Sequence, residues 1–462
     1  PDLPLPFQQF IESLLGLNAL PFANASIARQ TLLKIQLPED IPQVVKPEGE
    51  AVVKPLKKRR PWLLIGGGLL GVILLATLIW WLNRRPRSEA PDRPVTCCIE
   101  QVNGFPKGEF VFTGEQEGIW TYIWQQANLI VKGETLAAIL AERLNPEAVA
   151  TAPTEPAVPV TTPTDEAPAA DLNDELVEIT EFLLDYRPQP SATAAIAQVQ
   201  NHEAEFALSS LIDNLPADLW FSRVAYDGIA VYVAFSSASR DRNIPSQLNG
   251  RITLEQLRRL YTGEIVNWRE LGGPDLPVKL YIPADEEAVQ IFETRVLQDP
   301  EAIATFRRLA TQRSRASAVS TEITRLSTFR TLNAVIQDFE ERNVGAIAFG
   351  SLSRIFGQCS VYPLALQTGF NAPVAPLVQT NGLPISPATD LCNNKGSYRT
   401  NITAIRNGHY PLAYPITLIY PRDNRRAPIG EAFADVLRTD EGQLLLQRAG
   451  LVPLREIDPP AH

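Results

Sequence analysis

The sequence predicts an α/β protein carried behind a single membrane-spanning helix. Three observations predict it: one long uncharged apolar run near the N-terminus, strand-like runs alternating with amphipathic helical ones from Asp171 onward, and Pro-rich segments that set these parts apart. Alternation of that kind marks α/β domains, where helices cover the faces of a largely parallel sheet.

The apolar run WLLIGGGLLGVILLATLIWWL, 62 through 82, holds 21 residues without a charge. At the helical rise it covers roughly 30 Å, the thickness of a bilayer's hydrocarbon core. Trp62, Trp80 and Trp81 stand at its two ends, where amphipathic rings favour the headgroup level. A signal peptide has a shorter apolar run and a small-residue cleavage site, so the segment reads as an uncleaved anchor. Lys54, Lys57, Lys58, Arg59 and Arg60 precede it, and Arg84, Arg85 and Arg87 follow. That excess puts the N-terminus in the cytoplasm. Gly67 and Gly71 form a small-xxx-small face on which two such helices can approach closely, so dimerisation there is an expectation.

The chain has 52 acidic and 42 basic residues, a formal net charge of -10, which argues against nucleic-acid partners. Residues 1–61 read as a Pro-rich cytoplasmic tail with one short helical pattern at Phe10, Leu14 and Leu17. Residues 83–103 form a stalk, after which GEFVFTG (108–114) reads as a strand. Residues 146–170 carry six prolines and no aromatic residue, a composition that cannot bury a core and behaves as an inserted linker. Beyond it come strand-like YDGIAVYVAF (226–235), VKLYIPA (278–284), VGAIAFG (344–350) and YPITLIYP (414–421). LEQLRRLY (254–261) and EAVQIFETRVL (287–297) read as helices, and 429–454 as two helices broken near Thr439, with Gly450 ending the second.

Cys97, Cys98, Cys359 and Cys392 all follow the anchor, and four cysteines allow three pairings among which the sequence does not choose. On an extracytoplasmic side, Cys359–Cys392 is the candidate bridge. Adjacent Cys97 and Cys98 have neither CxxC spacing nor a nearby histidine for zinc, and free or lipid-facing thiols are one reading of that pair. The three histidines, His202, His409 and His462, are far apart, and no nucleophile elbow or phosphate-binding Gly-rich loop occurs. The expectation is therefore no enzyme, no cofactor and no metal. The adjacent acids Asp285, Glu286 and Glu287 lack the alternating spacing of a calcium loop.

AYDGIAVYV, ITLEQLRRLYTGEIVNWRELGGPD (252–275), VGAIAFG, NGHYPLAYPITLIY (407–420) and FADVLRTDEGQLLLQRAGLVPL (433–454) occur in an order similar to that of bacterial phosphate-type periplasmic solute-binding proteins. The resemblance covers roughly residues 104–455, broken by the insert. It implies a type II periplasmic-binding-protein clamshell, a two-lobed α/β fold holding its ligand in the cleft. Lobe 1 would comprise 104–235 and the return 366–455, lobe 2 would comprise 236–365, and 456–462 would be a tail. It also implies a bacterial plasma membrane with the C-terminal module in the periplasm.

A dehydrated oxyanion demands hydroxyls, backbone N–H groups and often an arginine. PQPSATAAIAQVQ (188–200) resembles the family's Pro-Gly-Ser-Gly-Thr-Gly loop, with Ser191 and Thr193 matching its hydroxyls. Its glycines are Pro190, Ala192 and Ala194 here, and Ser191 reads equally as a plain helix cap. FALSSLIDN (206–214) matches the family's Ser-Ser-Arg at Ser209 and Ser210 but has Leu211 for the arginine. Where the family has Ser-Thr-Thr-Trp, this chain has Glu115, Gln116 and Glu117. Where it has an arginine and a Ser-Gly-Thr loop, this chain has Asp285, Glu286 and Glu287. A carboxylate about 4 Å from another anion costs on the order of 4 kcal/mol at the effective dielectric of a protein surface. Either these loops have drifted to face solvent, or Glu115, Glu117 and Glu286 line a cleft that accepts a cationic ligand or a basic segment of a partner. The expectation is a recognition or sensing module with a degraded oxyanion site. The alternative is a working phosphate importer component using Ser191, Thr193, Ser209 and Ser210.

Overall fold

GEFVFTG forms β1 (Gly108–Gly114), the span read from the sequence as a strand. In this computed structural model the described residues are 95–102, 105–145, 182–212, 215–235, 243–311, 322–389, 391–392, 398–422 and 428–457. The chain divides into two units, Pro1–Arg84 and Arg85–His462, and every described residue lies in the second. The tail 1–61, the helix 62–82 with its Gly67 and Gly71 face, and the insert 146–170 lie outside the described residues. Among the described residues no helix is long and apolar enough to cross a membrane.

The remaining strands are β2 (Phe182–Tyr186), β3 (Phe206–Ser209), β4 (Leu219–Ala234), β5 (Arg251–Thr253), β6 (Val278–Pro283) and β7 (Ile323–Leu326). They continue with β8 (Gly345–Ser351), β9 (Val361–Pro363), β10 (Ala365–Gln367), β11 (Leu377–Gln379), β12 (Tyr398–Thr400) and β13 (Ala413–Pro421). Nine strands make one sheet in the order β2-β1-β3-β13-β4-β8-β6-β7, with β9 also on β4. β1 runs parallel to β2 and β3, and β6 parallel to β7 and β8. β4 is antiparallel to both β13 and β8. Its residues Leu219–Gly228 pair with β13, whereas Ile229–Val233 pair with β8. The sheet therefore has a seam at Gly228 and Ile229, and the C-terminal ends of both parallel sets point at it. Ligands of open α/β sheets bind at such strand ends.

The helices that matter here are α1 (Ile119–Gln125), α2 (Leu136–Leu144), α3 (Ala192–Gln200), α4 (Leu254–Tyr261), α5 (Glu286–Phe292), α6 (Pro300–Thr311), α7 (Thr328–Glu340), α8 (Ile429–Arg438) and α9 (Asp440–Arg448). A capping box starts α4: Thr253 Oγ1 takes the N–H of Gln256 at 3.0 Å, and Gln256 Oε1 takes that of Thr253 at 2.9 Å. Thr439 divides α8 from α9, its hydroxyl taking the Gly442 N–H at 2.9 Å. Gly450 has φ +97° just past α9, a left-handed position that favours glycine. α5 runs on into a π-helical turn, Glu293–Leu297, so the 287–297 expectation covers two conformations.

Two aromatic nests flank β4. Phe112, Trp124, Phe206 and Phe433 pack together on the β1 side. On the β8 side, Phe292 stacks on Phe349 with centroids 4.0 Å apart, and Tyr261 meets both edge-on. Trp268 is fully buried and donates Nε1–H to the carbonyl of Gly345 at 2.7 Å; a Cβ on Gly345 would lie 2.3 Å from that nitrogen. Only glycine permits this approach.

Cys359 and Cys392 are joined, the pairing the sequence left as a candidate, and Cys97 is joined to Cys98, a pair whose state the sequence left open. The 33-residue separation of Cys359 and Cys392 lowers unfolded-chain entropy by an amount worth about 3–4 kcal/mol. Replacing both by serine should lower the thermal midpoint by several degrees in calorimetry. An unchanged midpoint would show that the bridge contributes nothing.

Candidate functional site

The strand ends at the seam carry the chemistry. β1 ends at Gly114, where a Cβ would fall 2.8 Å from Tyr186 Oη, so glycine lets β2 come in close. The chains leaving β1 and β2 then zip together, Gln189 donating its N–H to Gly114 O at 2.8 Å and Gln116 to Gln189 O at 2.7 Å. Thr121 Oγ1 donates to Glu115 O at 2.6 Å from the first turns of α1. This frame turns the Glu115 side chain inward, to 3% exposure.

Glu115 reaches across the seam. Its carboxylate accepts the backbone N–H of Glu286 and, at 3.0 Å, that of Glu287, the first two residues of α5. Glu287 reaches back. Its Oε1 accepts the Ser209 hydroxyl at 2.5 Å, and its two oxygens take the Ser210 N–H at 3.1 and 3.2 Å. Ser209 ends β3 and Ser210 follows it, so each carboxylate satisfies donors belonging to the opposite strand set.

A second network runs below this pair. Asp285 caps α5, taking the Ala288 N–H at 2.9 Å, and accepts the Ser351 hydroxyl at 3.2 Å. Tyr414 Oη lies 3.4 Å from Ser351 Oγ and 3.3 Å from Asp227 Oδ2. Asp227 in turn accepts Ser353 Oγ at 2.6 Å and its N–H at 3.3 Å. Arg354 spans the seam as well: it donates to the carbonyls of Glu117 at 2.9 Å and Gly118 at 2.6 Å and lies over the Tyr122 ring.

Burial sets the protonation. It raises the Glu115 carboxyl far above the usual range, with the Asp285 and Glu287 charges adding and its two N–H bonds only partly opposing. Burial lifts Glu287 to about 7 against the Ser209 hydrogen bond, and Asp227 to about 6 against the Ser353 bonds. Asp285 is raised by burial, with Arg354 opposing. Carboxylates this enclosed hold protons that exposed ones would shed.

Of the residues singled out from sequence, Glu115, Ser209 and Ser210 come together. Glu286 enters only through its backbone N–H; its side chain pairs with Arg325 and is 42% exposed. Glu117 is exposed and contributes its carbonyl. Ser191 caps α3, taking the Ala194 N–H at 3.2 Å, and Thr193 is exposed on its first turn. Drift to solvent thus describes the side chains of Glu117 and Glu286, while Glu115, Asp285 and Glu287 are buried. Sequence reasoning passed over Glu287 as an inward group and over Ser351, Ser353 and Arg354. The signal for the last three was present: hydroxyls and an arginine directly after the strand run 344–350. His202 and His409 are exposed, and no group of three His, Cys, Asp or Glu among the described residues is placed to hold a metal.

Among solved structures, the chain is similar to a substrate-binding protein assigned to phosphate ABC transport from Clostridium perfringens, with phosphate bound, at 17% identity and a TM-score of 0.44, covering 75% of this chain and 100% of that one. It is similar to an ABC-type phosphate transport receptor from Vibrio cholerae at 16% identity and a TM-score of 0.42, covering 75% and 99%. PstS from Borrelia burgdorferi matches at 12% identity and a TM-score of 0.41, covering 76% and 100%. No curated protein sequence matches the chain. A family model described as a PBP superfamily domain matches residues 148–441, more than half of the 462, and takes in β2 through α8 with Ser209, Asp285 and Glu287. On that match, the chain belongs to the PBP superfamily.

Proposed function

We propose that the chain is a membrane-anchored, extracytoplasmic solute-binding-type module, two-lobed about the β4 seam, that serves recognition or sensing and does not capture phosphate. One observation carries this reading. The donors an oxyanion would need at the strand ends, Ser209 Oγ, the Ser210 N–H and the N–H groups of Glu286 and Glu287, already serve the chain's own Glu287 and Glu115 carboxylates. An entering phosphate would have to displace both side chains from these donors and break the bonds they make across the seam. The anchor at 62–82 and the flanking charges support a tethered module facing outward.

The test is calorimetric titration of inorganic phosphate into the full chain in detergent micelles at pH 7. The expected result is no binding heat. A micromolar dissociation constant would overturn the reading and favour a phosphate importer's binding component.

A further inference from the structure

Glu115 and Glu287 are reciprocal. Glu115 leaves the β1 end and accepts from residues that follow β6, whereas Glu287 follows β6 and accepts from residues at the β3 end. The two bonds cross the seam in opposite senses, so neither strand set can withdraw without breaking both. We propose that this pair is a proton-operated latch: it holds the two strand sets together while its carboxyls are protonated and releases them when both are ionised. The proposal rests on the reading that the site's donors are filled from within.

The surroundings decide the direction of the response. Glu287 is 6% exposed, Glu115 3% and Asp285 4%, so three carboxyls share one desolvated space. From α5 come Asp285 and Glu286, the latter paired outward with Arg325 of β7. From the loop after β1 comes Glu117, whose charge bears on Asp285. β2 presents Tyr186, held neutral up to about 12 by burial, and β13 presents Tyr414, raised likewise. β4 presents Asp227, which bears on Tyr414. Arg354 bears on Asp285 and opposes its rise. Three ionised carboxylates in one desolvated space repel one another, whereas water reaching the parted strand ends would solvate them. Release of protons and release of the seam are therefore linked.

With Glu287 at about 7 when latched and near its ordinary 4.5 when released, raising the pH from 5 to 9 favours release on the order of a hundred-fold through this group alone. Hydrogen–deuterium exchange of the full chain in micelles reads this directly. Protection factors, corrected for intrinsic exchange, are measured at both pH values for the Ser210, Glu286 and Glu287 amides and for core amides of β8. The expected result is a loss on the order of a hundred-fold at the three seam amides, with β8 retained. In the double variant Glu115→Gln, Glu287→Gln both latch groups stay neutral, so its seam protection should change less than about ten-fold, whereas Glu287→Gln alone keeps the Glu115 response. Equal seam protection at both pH values in the native chain would overturn the latch, as would an equal loss in the double variant. No phosphate enters this experiment, so its failure is distinct from phosphate binding at pH 7, which would instead overturn the functional reading.

Discussion

The protein is expected to unfold at a lower temperature at pH 8 than at pH 5, by roughly 5 °C. Glu287 has an ordinary value of 4.5 and is raised to about 7 by burial; Asp227 rises from 3.8 to about 6 for the same reason. Each carboxyl is harder to ionise folded than unfolded, so the folded chain binds more protons between those values. The stability they contribute is complete below the unfolded value and is lost as the pH rises through the folded one. For Glu287 the loss is on the order of 3 kcal/mol, since each unit is worth about 1.4 kcal/mol. Thermal melts in matched ionic strength check it: Glu287→Gln should make the fall between pH 5 and 8 shallower, leaving the part that Asp227 and the other raised carboxyls contribute. A native midpoint that is level or rises over that range would show the carboxyl to be ionised in the folded state.

Phe292→Ala should cost about 3–5 kcal/mol, the range for deleting a buried phenyl ring. Phe292 ends α5, fully buried, stacked on Phe349 and edge-on to Tyr261. It is the anchor that fixes the helix bearing Asp285, Glu286 and Glu287 to β8. Denaturant titration measures the loss. Beyond the loss of stability, seam-amide protection should fall at pH 5 even where the chain stays folded, because the Glu115 acceptor is aimed at N–H groups that α5 positions. A cost under about 1 kcal/mol would mean that the nest repacks around the gap.

Much of the architecture was legible as local pattern. GEFVFTG, LEQLRRLY and VGAIAFG form the elements read from the sequence: the 3.6 period of LEQLRRLY commits it to one buried face, and the short apolar run VGAIAFG becomes a strand buried on both faces. β4 was not legible in full: it begins at Leu219, and the upstream part is half of a strand that serves two neighbours in succession. Local alternation carries no mark of where a partner changes.

The site divides along the same line. By itself the sequence placed acids at Glu115 and at 285–287, and only its resemblance to phosphate-type solute-binding proteins made these positions candidates for the cleft. It did not tell which acid turns inward. Adjacent residues at a helix start point about 100° apart, so whether Glu286 or Glu287 faces the seam depends on the phase of α5, fixed by Phe292 in a distant nest. Nor could it tell that Glu115 meets an N–H 172 positions away, or that Ser209 meets Glu287 78 positions on. Only tertiary structure decided that the serine and backbone donors and the buried acids satisfy each other across β4, because that pairing exists only once both strand sets converge on one seam.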